Sequence, residues 1–91
     1  MRALPSSLVA YKKTPVFDEQ TVPAGLCKSH STKAGTWGLI NVIEGELLYR
    51  ILEPSVEEVT LTPSQTGVVE PTVKHEVAPV GAVKFFVEFY K

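Results

Sequence analysis

The sequence predicts an all-β fold, a small sandwich or barrel built from short strands, and three observations lead there. Seven prolines recur every eight to ten residues from Pro5 to Pro79, with one longer gap between Pro23 and Pro54 that Gly25, Gly35, Gly38 and Gly45 occupy. Proline costs about 3 kcal/mol and glycine about 1 kcal/mol in a helix interior, which leaves almost nowhere to place a helix of ordinary length. Between these breakers the apolar residues form short β-rich runs, clearest in the alternation over residues 83–90. A hydrophobic content of 44% against 21% charged residues can bury a core and is too apolar for a disordered chain. Ninety-one residues make one domain, 1–91. A chain of this length buries only roughly 60–70% of its unfolded surface, so a second copy or a bound metal would add useful stability.

Residues 1–10 carry no strand pattern and are expected to wrap as an N-terminal arm. Residues 26–29 are the first strand candidate. Residues 37–43 and 46–52 follow as two β-rich runs, and Glu44-Gly45 between them reads as a hairpin turn, because glycine tolerates the positive φ that such turns need. Residues 56–61, 66–69, 74–78 and 83–90 complete the set. In the last, Val83, Phe85, Val87 and Phe89 project to one side and are expected in the core, while Lys84, Phe86, Glu88 and Tyr90 project to the other. That mixture of aromatics and charge suits a half-covered outer face, a pocket wall or a dimer contact through Phe86 and Tyr90. No repeat, low-complexity tract or linker interrupts the chain.

Nine Lys plus Arg balance ten Asp plus Glu for a formal charge of −1, and only Lys12-Lys13 are adjacent, so a nucleic-acid partner is not expected. Cys27 is the only cysteine, which rules out an intrachain disulfide or a cysteine zinc cage and points to a reducing cytoplasm. No signal-peptide pattern opens the chain and no apolar run approaches the roughly 20 residues a membrane helix needs, so a soluble, unprocessed protein with no membrane partner is expected.

With two histidines and one aspartate, and no G-x-S-x-G, a serine-hydrolase triad has no support. Neither phosphate-cradling glycine motif is present. His30 and His75 each stand where a strand meets a loop. Brought together with one or two carboxylates they would make a site for Zn, Fe, Mn or Ni. Alternatively they are two polar histidines with unrelated roles, and a separation of 45 residues decides neither way. Glu70, beside Pro71, and Glu88, on the terminal strand, are the candidate carboxylate ligands. Cys27 and His30 form C-x-x-H, but residues three apart on a strand face opposite sides, so Cys27 reads first as a small half-buried apolar residue. Trp37 is a packing anchor or a stacking platform. Trp37, Phe86 and Cys27 are the candidates for lining a ligand pocket.

The run His30-Ser-Thr-Lys-Ala-Gly-Thr-Trp-Gly-Leu-Ile-Asn-Val-Ile-Glu-Gly-Glu-Leu, residues 30–47, closely resembles the N-terminal domain of the tellurite-resistance TehB family and its stand-alone relatives. Tyr11-Lys12-Lys13-Thr14-Pro15-Val16-Phe17, Val69-Glu70-Pro71 with His75 and Val77, and the closing Phe89-Tyr90 match as well. The resemblance implies a small cupin, a jelly-roll sandwich closed into a conical barrel and pairing as a homodimer. It also implies a cavity holding a divalent metal, with His30 and His75 in the matching motif positions. Family members named TehB carry a C-terminal S-adenosylmethionine methyltransferase. This chain ends where that domain would begin and shows no motif for S-adenosylmethionine, so that cofactor and its chemistry are not expected here. Metal-binding cupins usually supply four ligands, and Thr32 and Gly38 stand where two of them would be. Glu70, Glu88, Cys27, water or a neighbouring chain would then complete the shell. The expected function is a cupin-like binding domain that holds a metal ion or a small oxyanion ligand in the response to tellurite or related oxidative stress. Two alternatives stay open: a small metal-dependent enzyme of dioxygenase or isomerase type, and a metal-free dimeric interaction module.

Overall fold

The computed structural model describes residues 1–91. Its elements in chain order are β1 (Ala10–Lys13), β2 (Phe17–Asp18), a 3-10 turn (Ala24–Cys27), β3 (Trp37–Ile51), β4 (Glu57–Leu61), β5 (Gly67–Val69) and β6 (His75–Tyr90). All strands join one antiparallel sheet. β6 pairs with β3 on one side and with β1 and β2 on the other, and β3 carries β4 and β5 on its far side.

The β3–β6 ladder runs from Trp37↔Tyr90 to Ile51↔His75 and organises the molecule. A straight strand of 15 residues would reach roughly 50 Å at about 3.3 Å per residue. The longest dimension of the domain is 33 Å, so both strands bend. They bend where the register shifts, between Val42 and Glu44 and between Gly45 and Glu46. Ile43 is the extra residue on β3, and Gly81 and Ala82 are the extra pair on β6. Unpaired residues of this kind increase twist and turn a strand. The bend folds one half of the sheet over the other. The core lies in the fold, with Ile40, Val42, Val83 and Phe85 from one half meeting Leu47, Tyr49, Leu61 and Val77 from the other.

This differs from the expectation of separate strands at 37–43 and 46–52 joined by a hairpin. Buried positions on β3 are even-numbered through Gly38, Ile40 and Val42, then odd-numbered at Leu47 and Tyr49. The single bulged residue flips the parity without ending the strand. Gly45 does take a positive φ, +83°, but inside this bulge. Residues 74–78 and 83–90 are likewise one strand, because two extra residues preserve parity across Gly81. The strand expected at 26–29 is instead the 3-10 turn, opened by Pro23, whose carbonyl accepts the Leu26 N–H at 3.0 Å. The inward set Val83, Phe85, Val87, Phe89 is as expected, with the first three buried and Phe89 packed against the core.

The second half of the sheet is pinned on both faces. Inside, Tyr49 is 1% exposed and its hydroxyl donates to the Val68 carbonyl at 2.8 Å. Gly67 makes this fit possible, since a Cβ there would stand 2.7 Å from Leu61 Cδ1. Outside, Arg50 reaches its two cross-strand partners, Glu58 on β4 and Glu76 on β6, each at 2.7 Å. The N-terminal residues run along this half, with the Met1 amine on Glu57 and the Met1 thioether accepting the Val68 N–H, and reach β1 through reciprocal backbone bonds between Val9 and Lys91.

The bend yields a paired prediction. A Cβ at Gly45 would collide with the Ala82 carbonyl oxygen and stand 2.9 Å from Val83 Cα, whereas one at Gly81, also at positive φ, meets open space. Gly45→Ala should lower the unfolding free energy by about 3 kcal/mol or more, and Gly81→Ala by only about 1–2 kcal/mol, as read from urea midpoints at constant m.

Candidate functional site

The 45-residue gap between the two histidines is closed by backbone hydrogen bonds. The His30 N–H donates to the His75 carbonyl and the His75 N–H donates to the His30 carbonyl, both at 2.8 Å, forming an isolated antiparallel bridge. Residues paired in this way send their side chains to the same face. The imidazoles accordingly meet edge to face, with ring centroids 5.3 Å apart at 79°. The loop leading from His30 to β3 is held in a turn, with Gly35 at φ +80° and the Thr32 hydroxyl donating to the Thr36 carbonyl at 2.7 Å. A further bond from the Thr72 N–H to the Thr32 carbonyl, 3.0 Å, ties this loop to the one before β6.

His75 is 5% exposed and its ring also lies edge-on to Tyr49, 5.9 Å between centroids. Its Nδ1 is 3.2 Å from the Val73 carbonyl. A carbonyl only accepts, so Nδ1 carries the proton of the neutral ring and Nε2 is left with its lone pair. Burial pushes the His75 pKa below its ordinary value and His30 acts in the same direction, while the bond to Val73 opposes them. Tyr49 is shifted the other way: burial, then the Glu70 and Glu57 carboxylates, hold its hydroxyl protonated.

Both histidines stand on the wall of a cavity of about 300 Å³ inside the bent sheet. Ile40, Val77, Phe85 and Val87 supply its apolar wall, and Phe17 and Leu26 from the N-terminal segment cover it. Phe17 is fixed there by an edge contact with Phe85 at 5.7 Å. Two threonines also reach the wall, but their hydroxyl hydrogens are engaged, Thr14 with the Pro15 carbonyl and Thr32 with that of Thr36. The threonines can therefore offer an occupant only oxygen lone pairs, and the imidazoles are the wall side chains with a ring nitrogen unpaired within the chain.

The other expected site residues lie elsewhere. Trp37, Phe86 and Glu88 are on the sheet face opposite the cavity, as their alternation with Gly38 and Val87 requires. There Glu88 accepts a hydrogen bond from Asn41 at 3.1 Å, and Lys13 Nζ sits 5.8 Å from the centre of the Phe86 ring. Cys27 is half-buried at the end of the 3-10 turn, beside the cavity-lining Leu26 without itself lining the cavity. Glu70 forms a 3.6 Å ion pair with Arg2 and lines a second cavity of about 290 Å³ next to Tyr49. No group of three or more His, Cys, Asp or Glu side chains is gathered anywhere. Two imidazoles amount to half of a tetrahedral shell, so the residues present do not fit a metal enclosed by protein ligands alone. Phe17, Leu26 and Thr14 were not foreseen at the site. The signal available was Phe17, Val22 and Leu26 recurring through a proline-broken segment too irregular for a strand.

The depressed His75 pKa sets a pH dependence. The unfolded chain takes up this proton more readily than the folded one, so the contribution of neutral His75 is present above the unfolded pKa and is lost as pH falls from there through the lower folded pKa. Unfolding free energy should fall between about pH 7 and pH 5, and His75→Gln should flatten that slope in urea titrations across the range. Asp18, held below its usual value by the Gln20 and Thr21 N–H groups, acts only at lower pH.

Comparison with known proteins places the chain in a family and agrees with the fold. The family model for the TehB-like domain matches residues 12–87. The probable S-adenosyl-L-methionine-dependent methyltransferase TehB of Haemophilus influenzae is 36% identical over 76 residues, 79% of this chain and 27% of TehB. This chain thus spans about a quarter of the length of that relative. The crystal structure of Haemophilus influenzae TehB aligns with a TM-score of 0.86 at 31% identity, over 93% of this chain and 32% of that one. A protein from E. coli K12 aligns with a TM-score of 0.89 at 21% identity, over 100% and 97% of the two chains. A cupin-2 domain containing protein from Shewanella frigidimarina aligns with a TM-score of 0.55 at 16% identity, over 89% and 64%. The last two show the fold, which is cupin-like. With its family model covering most of its residues, the chain belongs to the TehB-like domain family.

Proposed function

We propose that this domain binds a small, largely apolar ligand in the cavity beside His30 and His75. One observation carries the reading: a cavity of about 300 Å³ with an apolar wall on which two imidazoles stand side by side, each with a ring nitrogen unpaired within the chain. Small-molecule sites have this composition, an apolar enclosure for contact area with few polar groups for orientation. An oxyanion suits the wall poorly, because a charge would lose its hydration against Ile40, Val77, Phe85 and Val87 with little in return. In TehB a domain of this family is joined to a probable methyltransferase, and capture of a small molecule is a role compatible with that company.

A second reading places a metal ion on His30 and His75, with the remaining positions taken by non-protein ligands. It is favoured by the hydrogen bond from His75 Nδ1 to the Val73 carbonyl, the arrangement by which proteins orient a metal-binding imidazole.

Two measurements separate these readings. Toluene at millimolar concentration should shift the amide resonances of Ile40, Val77 and Phe85 in ¹⁵N spectra, and Val77→Phe, which fills the cavity, should abolish the response. Cavity amides that stay silent to toluene and to similar small apolar probes would defeat the ligand-binding reading. Elemental analysis of the untagged protein should find no stoichiometric metal. Stoichiometric metal that disappears in the His30→Ala, His75→Ala double variant would establish the second reading instead.

A further inference from the structure

We infer that the cavity selects a neutral hydrogen-bond donor, an apolar molecule carrying one hydroxyl group, which His75 Nε2 receives as acceptor. The inference rests on the proposed ligand-binding role and adds the polarity of the ligand's one polar group.

His75 has two nitrogens, and Nδ1 faces a backbone carbonyl at 3.2 Å, which fixes the proton there. Nε2 makes no hydrogen bond within the chain. The ring is 5% exposed, yet no side-chain nitrogen or oxygen is both fully sealed and without a partner. Nε2 is therefore accessible, and His75 lines the cavity. Nε2 can be satisfied only by a donor from outside the chain, and a hydroxyl carried by an apolar occupant supplies one without leaving the wall. The groups packed around the ring sharpen the choice. Tyr49 gives its hydroxyl hydrogen to the Val68 carbonyl and cannot turn it toward His75, and both wall threonines have given theirs to backbone carbonyls. No donor from the chain competes for Nε2 except the neighbouring His30 ring, which meets it edge to face.

Size limits the partner as well. A cavity of about 150 Å³ admits benzene, so one twice that volume takes a single substituted ring or a branched chain of similar bulk. A carboxylate or ether of the same size offers no hydrogen to Nε2, and the carboxylate brings a charge besides.

The test uses three probes of matched shape with the intact protein at pH 7.5: 4-ethylphenol, neutral at this pH; its methyl ether, 4-ethylanisole; and 4-ethylbenzoate. Affinities come from calorimetry or amide shift titration, and the His75 ring nitrogens are followed by long-range ¹H–¹⁵N correlation. The expected result is that the phenol binds about tenfold more tightly than the ether and more tightly still than the carboxylate, with the His75 Nε2 resonance moving only for the phenol. Equal affinity for phenol and ether would overturn the inference while leaving the cavity a ligand site. Preference for the carboxylate would overturn it in favour of an anion site. Phenol binding that is lost on adding a chelator would overturn it in favour of a bound metal. Failure of all three probes, together with toluene, would remove the ligand-binding reading and the inference with it. His75→Leu, if folded, should bind phenol and ether alike, and the wild-type comparison stands without it.

Discussion

The β3–β6 ladder is longer than the domain that contains it, and the bend this forces determines where everything else lies. Had the two strands stayed straight, the sheet would expose one whole apolar face. Folding at Ile43, Gly45 and Gly81 turns that face inward on both halves and produces a core from a single sheet. The same fold leaves the two halves apart at one end, where the apolar wall is not filled by side chains from the sheet. That space is the cavity, and the N-terminal segment with Phe17 and Leu26 is what covers it. Site and core are thus two regions of one interior.

The histidine pair depends on that arrangement at one further remove. His75 begins β6 at the end of the ladder, and His30 reaches it through a single backbone bridge formed by a loop. The bridge does what proximity in sequence could not, placing two imidazoles on one face of the sheet above an apolar space. The tether from Nδ1 to the Val73 carbonyl then gives the buried ring one defined tautomer. Backbone geometry, at two peptide groups and one carbonyl, sets both the position and the hydrogen-bonding sense of the site.

The all-β class and the inward set of β6 were legible because period-two alternation and breaker residues are local properties of the chain. The bend was not, since a parity change within β3 looks the same whether it comes from a turn or from a bulge. Glu44-Gly45 offered turn chemistry that the structure uses for the bulge. Glu88 could have been set apart from the histidines on alternation alone, because it opposes Val87 across the strand. The meeting of His30 and His75 depends on long-range pairing and was accessible only as a family resemblance. The covering role of Phe17 and Leu26 belongs to irregular segments whose apolar residues follow no period.

Because the two strands absorb different numbers of extra residues at the bend, one on β3 and two on β6, they differ in how their lengths can drift. Adding or removing a pair of residues at the β6 corner keeps every side chain beyond it on its own face. A single-residue change there exchanges inside for outside from Pro79 down to His75, carrying the imidazole out of the interior. The corner therefore acts as a counter with a step of two, and an ancestral change in its length would pass without turning the sheet inside out only in even steps.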